Sequence, residues 1–181
     1  RFIQFQSHEA VEMVGLLYKR GWYGILANLA LQLTDFPDAE IKDWESFRKE
    51  RMISSIIPAD KVDLLVSALN DLYTKSSFEG FWIEKADVYN EIKKNILKKT
   101  EHVDVPGLME QFYGMKKDLY TIIPCPHIFD TAFNAQIESD GKQYAYYFQG
   151  PLSTKEGDGY FIPEDYLITT AFHEFGHTFI E

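Results

Sequence analysis

The chain has a single cysteine, Cys125, in 181 residues, so no internal disulfide can form and stability must come from packing. That lone thiol does not distinguish a reducing compartment from an oxidising one. No apolar run approaches the roughly 20 residues that cross a bilayer, so no membrane span is expected. Positive charge is also in short supply: 18 Lys and Arg against 28 Asp and Glu leave a net −10. A nucleic-acid partner, which needs a basic footprint, is therefore not expected. The imbalance is uneven, because from Leu119 onward nine acids face only Lys142 and Lys155, and that third carries −7 of the −10. Solvated surface is the common cause of such an excess, and a nearby divalent cation would also suit it. There is no charged start followed by an apolar signal segment, and position 1 is not methionine. The chain thus reads as processed or partial, and it stops four residues after His177 in mid-helix.

What is present is a 45% hydrophobic composition, enough for one sizeable core or for a helical part packed on a small sheet. The fold class expected is α+β, with a mainly helical part over 1–118 and a sheet with one further helix over 119–181, together one continuous domain. Arg1 to Gln6 reads as a short strand. Helical spacing follows from a Ser7 cap to Arg20, over Trp22 to Leu33, from Asp38 to Arg51, from Pro58 to a Ser76-Ser77 break, over Ile83 to Lys99 and over Pro106 to Phe112. At Leu119 the period becomes extended. Leu119 to Ile123, Phe129 to Glu138 and Lys142 to Gly150 read as strands, and the Asp140-Gly141 pair between the last two is a hairpin signal.

The densest chemical signal lies in the last helix. Pro163 suits a first turn, Glu164 and Asp165 suit the positive end of the dipole, and Leu167, Ala171, Phe175 and Phe179 recur as a buried stripe. Within it, His173, Glu174 and His177 form H-E-x-x-H. Residues four apart share a helix face with a rise of roughly 6 Å, so His173 and His177 can aim two imidazoles at one zinc ion. Glu174 points about 100° away around the axis, outside the ligand pair but within reach of a water there, where this motif places its general base. The pattern arises by accident in on the order of one chain in a hundred of this length. The plain alternative is a pair of core histidines beside an ordinary surface acid.

Asn134 and Ala135 on the second strand, then Asp140-Gly141, then the glycine-rich run to Gly159, then His173 to His177, stand in an order that resembles the zincin metallopeptidases. It is most similar to their gluzincin branch, the thermolysin-like and neprilysin-like enzymes. His173-Glu174-Phe175-Gly176-His177 followed by Thr178-Phe179 also resembles a group of bacterial domains placed in the gluzincins. The resemblance covers roughly Phe129 to Glu181. It implies a small antiparallel sheet packed on the active-site helix, Zn2+ as cofactor, a peptide or protein substrate, and hydrolysis by metal-activated water. It also implies that the Asn134 amide and the Ala135 backbone hold an extended peptide by strand addition. Glu181 would accept a hydrogen bond from a ligand imidazole.

The departure is the third ligand. A catalytic zinc usually has three protein ligands, and this sequence offers two; in gluzincins the third is a glutamate on a later helix, so it is expected in C-terminal sequence outside this chain. Cys125, His127, His8 and His102 are poorer candidates, with packing or surface roles expected. Tyr144, Tyr146, Tyr147 and Tyr160 are candidates for stabilising an oxyanion, although tyrosine on strands more often packs. A protein of another class remains open: a catalytically inactive metal-binding or interaction module that keeps the motif.

Overall fold

A computed structural model describes residues 2–20, 23–49, 58–128, 130–152 and 162–180. The chain forms two compact units, Arg1–Lys85 and Ala86–Glu181. The protein is α+β, and the described strands all lie in the second unit.

In the first unit a 3-10 turn, Ile3–Phe5, stands where a short strand was expected. Phe5 and His8 donate backbone bonds back three residues, to Phe2 and Phe5, and Phe2 lands edge-on against Phe81 at 5.0 Å; aromatic packing there favours a turn over an unpaired extended segment. Helices α1 (Glu9–Lys19), α2 (Tyr23–Leu31), α3 (Trp44–Lys49), α4 (Ala59–Ser76) and α5 (Phe78–Glu84) follow. The cap of α1 is His8, not Ser7: its Nδ1 accepts the Ala10 N–H at 3.2 Å while Nε2 meets Asp71 Oδ2 at 2.9 Å. Since Nδ1 accepts, the neutral ring carries its proton on Nε2 and donates to Asp71. Ile25, Leu29, Phe47, Val62, Leu65 and Val66 fill the core at helical spacing. Ile41 was expected within a helix from Asp38; instead it bridges to Leu33, and α3 begins only at Trp44. Arg51, where that helix was expected to end, lies outside the described residues. Ser77, at φ 52°, breaks α4 from α5.

The second unit opens with α6 (Ala86–Thr100) and α7 (Val105–Tyr113). The helix expected from Ile83 is interrupted at Lys85. Asp104 caps α7 by accepting the Gly107 N–H at 3.0 Å, Pro106 occupies the first turn, and Gly114 at φ +67° ends it; each is the residue type that its position favours. Strands β1 (Leu119–Pro124), β2 (Ala132–Ser139) and β3 (Lys142–Gln149) precede α8 (Glu164–Ile180). The β2–β3 turn has Asp140 at φ 53° and Gly141 at φ 70°, the signature of a type I′ hairpin. The sheet is mixed and not antiparallel throughout: its order is β1-β3-β2, with β3 parallel to β1 and antiparallel to β2. Strand periodicity sets which residues are extended but not which strands become neighbours, and here β3 inserts between the other two. Ile92, Ile96, Val105, Met109, Ala145, Tyr147, Leu167, Ala171 and Phe175 form one core, so α6 and α7 pack with the sheet and α8.

In the first unit Asn70 holds the buried Ala39 backbone on both sides, accepting from its N–H and donating to its carbonyl, each at 2.9 Å. Asn70→Ala leaves both groups unpaired and should cost about 1–3 kcal/mol. Chemical denaturation checks this, and a change within experimental error would count against the assignment.

Candidate metal centre

Helix α8 starts at Glu164, with Leu167 N–H bonded to Pro163 O at 3.0 Å. Its rotation is set by apolar packing. Leu167, Ala171 and Phe175 are buried; Phe175 meets the ring edges of Tyr120 at 5.3 Å and Tyr147 at 5.9 Å. Tyr120, Ala145 and Tyr147 share one sheet face through the strand register, and α8 lies on that face. Behind the helix α7 approaches closely: a Cβ added at Gly176 would meet the Tyr113 hydroxyl at 3.2 Å and Met109 Cε at 3.7 Å.

This setting turns Glu174 toward the sheet and His173 and His177 to the open side. Glu174 is only 7% exposed, His177 is half-buried and His173 is exposed. The two imidazole Nε2 atoms are 3.3 Å apart, with the rings at 86° to each other. Two nitrogens each about 2.0–2.1 Å from one tetrahedral zinc are separated by roughly 3.3 Å, so the spacing fits a shared ion. Without one, an N–H of either ring can donate to the other. Burying a carboxylate is costly unless it is hydrogen-bonded, and Asn134 Nδ2 donates to Glu174 Oε2 at 3.2 Å. Asn134 thereby joins the H-E-x-x-H helix at its carboxylate.

Ala135 lies differently. Gly150 N–H donates to Thr131 O at 2.9 Å, making 131 and 150 a hydrogen-bonded pair of the β2–β3 ladder. Such pairs alternate, so the register bonds Phe133, Ala135 and Ile137 inward to β3 and turns the main-chain groups of Asn134 and Gln136 to the outer side of β2. Among the described residues β2 is an edge strand. The Ala135 side chain is buried on the sheet face opposite α8.

Glu181 and Tyr160 lie outside the described residues. Tyr144 and Tyr146 share the far face with Ala135. Tyr147 faces α8, but its buried hydroxyl is bonded to Gln149. Tyr120 is held away by Glu110 Oε1 at 3.5 Å, and burial together with that carboxylate pushes its hydroxyl up to about 12. The hydroxyls of Tyr120 and Tyr147 are thus engaged with partners other than Glu174. His127 is exposed and touches Tyr89 at 3.4 Å, a surface position among the packing and surface roles expected of it. His102 pairs with Glu164 at 3.3 Å on the surface, and His8 is the helix cap described above. Among the described residues, no group of three or more His, Cys, Asp or Glu is placed to hold one ion. The residues present therefore fit a zinc site as two of its three usual protein ligands.

The chain belongs to the DUF4932 family, a domain of unknown function, whose model matches residues 2–181. Comparison with curated proteins and comparison with solved structures each found no match.

Cys125 is half-buried, 3.6 Å from the Ile123 carbonyl, and burial pushes its thiol up to about 11. Because only the thiolate is nucleophilic, alkylation by iodoacetamide should be slow at pH 8 and rise toward a half-maximal rate near pH 11. A rate profile centred near the ordinary thiol value of about 8.5 would refute this.

Proposed function

We propose that the protein is a zinc-dependent peptidase of zincin-like arrangement, with His173 and His177 as zinc ligands and Glu174 as general base. The observation that carries the reading is the 3.3 Å separation of two imidazole nitrogens beside a buried carboxylate tied to an edge strand. A third protein ligand comes from outside the described residues. Zinc bound there supplies Lewis acidity, bringing water toward ionisation near neutral pH and polarising a carbonyl.

The chain's own groups divide the remaining work. Asn134 holds Glu174 Oε2 and leaves the second carboxylate oxygen to take a proton from the attacking water and deliver it to the leaving amine. The outward main-chain groups of Asn134 and Gln136 offer an extended peptide the hydrogen bonds of a further strand. Strand addition therefore runs through these two residues, with Ala135 supporting them from within the ladder.

The scarcity of a third donor among the described residues favours one alternative, a metal-binding module without turnover. Glu174→Gln separates the two. On the peptidase reading it lowers kcat/KM by about 10²–10⁴-fold with zinc content unchanged by elemental analysis, while His173→Ala and His177→Ala lose the metal. A wild-type protein that retains zinc yet cleaves nothing in a broad peptide library would establish the module instead.

A further inference from the structure

Lys117, in the segment between α7 and β1, lies on the same side of the sheet as Asn134. Its Nζ donates to Gln136 Oε1 at 3.3 Å and Gln143 Oε1 at 3.1 Å, and stands 5.2 Å from the centre of the Phe179 ring of α8. Lysine can only donate, so both amide oxygens must face it. Two of the three ammonium protons are thus held by neutral acceptors, and the ring faces the cation. Glu138, on the same face, favours the charge from a distance, yet no carboxylate forms an ion pair with Lys117 among the described residues. Desolvation disfavours this ammonium, a cost that a surface lysine avoids. A half-buried cation fixed by two glutamines, with no ion-paired carboxylate among the described residues, is arranged to receive an anion with its third proton.

The position relative to the candidate centre identifies that anion. Gln136 is two residues beyond Asn134 on β2, on the same face, roughly 7 Å along the strand. A peptide paired to the outer edge of β2 would place one side chain beside Asn134 and Glu174, and the side chain two residues away beside Gln136 and Lys117. We propose that Lys117 is a specificity-determining residue that receives a carboxylate of an extended peptide, two residues along from the residue seated at Glu174. This rests on the peptidase reading for its substrate class, while the carboxylate contact itself can be measured without turnover.

The test uses Glu174→Gln protein, which binds without cleaving, and octapeptides blocked at both ends. In these a single Glu walks along an otherwise neutral sequence, each peptide having a Gln twin; a further pair carries a free or amidated C-terminus. Fluorescence anisotropy should show at least one Glu peptide binding about 5–30-fold tighter than its Gln twin, between the weak gain of an exposed ion pair and the larger coupling of a close interfacial one. The preference should vanish in Lys117→Met, which keeps the apolar stem against Phe179, and largely survive in Lys117→Arg. If instead only the free C-terminus is preferred in a Lys117-dependent way, the carboxylate received is terminal and the contact still stands. Equal binding of all twins, a preference unchanged in Lys117→Met, or no peptide binding would overturn the proposal. The two readings fail separately: cleavage of Glu and Gln twins alike removes the Lys117 subsite and leaves the peptidase. Lys117-dependent binding with no cleavage by wild type removes the peptidase and leaves the subsite.

Discussion

The candidate centre depends on how α8 is seated on the sheet. Leu167, Ala171 and Phe175 are buried, and Phe175 is gripped by the edges of Tyr120 and Tyr147. This apolar contact fixes the helix about its own axis, and neighbouring residues differ by about 100° in direction. A rotation of that size would drive an imidazole into the core and expose Glu174. The polar geometry is thus downstream of hydrophobic packing: the carboxylate reaches Asn134 because a phenylalanine one residue later is buried. Fully burying a side chain of that size contributes about 1.5–3 kcal/mol, as much as the charge-assisted hydrogen bond it positions.

Much of this architecture is legible in local chemistry. Pro163 with the two acids after it, Asp104-Val105-Pro106, Gly114 and Asp140-Gly141 each mark an element boundary that the chain uses. Other features are set by long-range partners and leave no local trace. Ser7 is by residue type the better cap, but His8 is chosen because Asp71, 63 residues away, takes its other nitrogen. Residues 1–6 alternate loosely like a strand, but the described residues of the first unit form no strand for them to pair with, and the Phe2 ring goes to Phe81 instead. The mixed sheet is equally invisible in the sequence, since alternation shows faces and not neighbours.

Within the candidate centre, the helix residues can be named from their spacing alone, whereas Asn134 is named only through the gluzincin resemblance. Its bond to Glu174 cannot be read from either. Nor can the roles of Gln136 and Lys117, although one signal is available: Gln136 follows Asn134 at strand period and so shares its face. Lys117 stands just before the acid-rich stretch that begins at Leu119, and a cation of that kind is noticed only when the fold shows which carboxylates it fails to meet.

The hairpin turn at Asp140-Gly141 has a reach that its position at the sheet tip conceals. The β2–β3 ladder runs without a bulge from this turn to Ala132, so the turn alone sets the phase of every residue on β2. One residue more or fewer there would invert the strand, sending Asn134 and Gln136 to the back of the sheet and facing Phe133 and Ala135 at the helix. Glu174 would then lie against methyl and phenyl groups, and the outer edge would present a different set of amides. Two left-handed residues at a solvent-exposed tip therefore act as the indexing pin for a carboxylate they never touch.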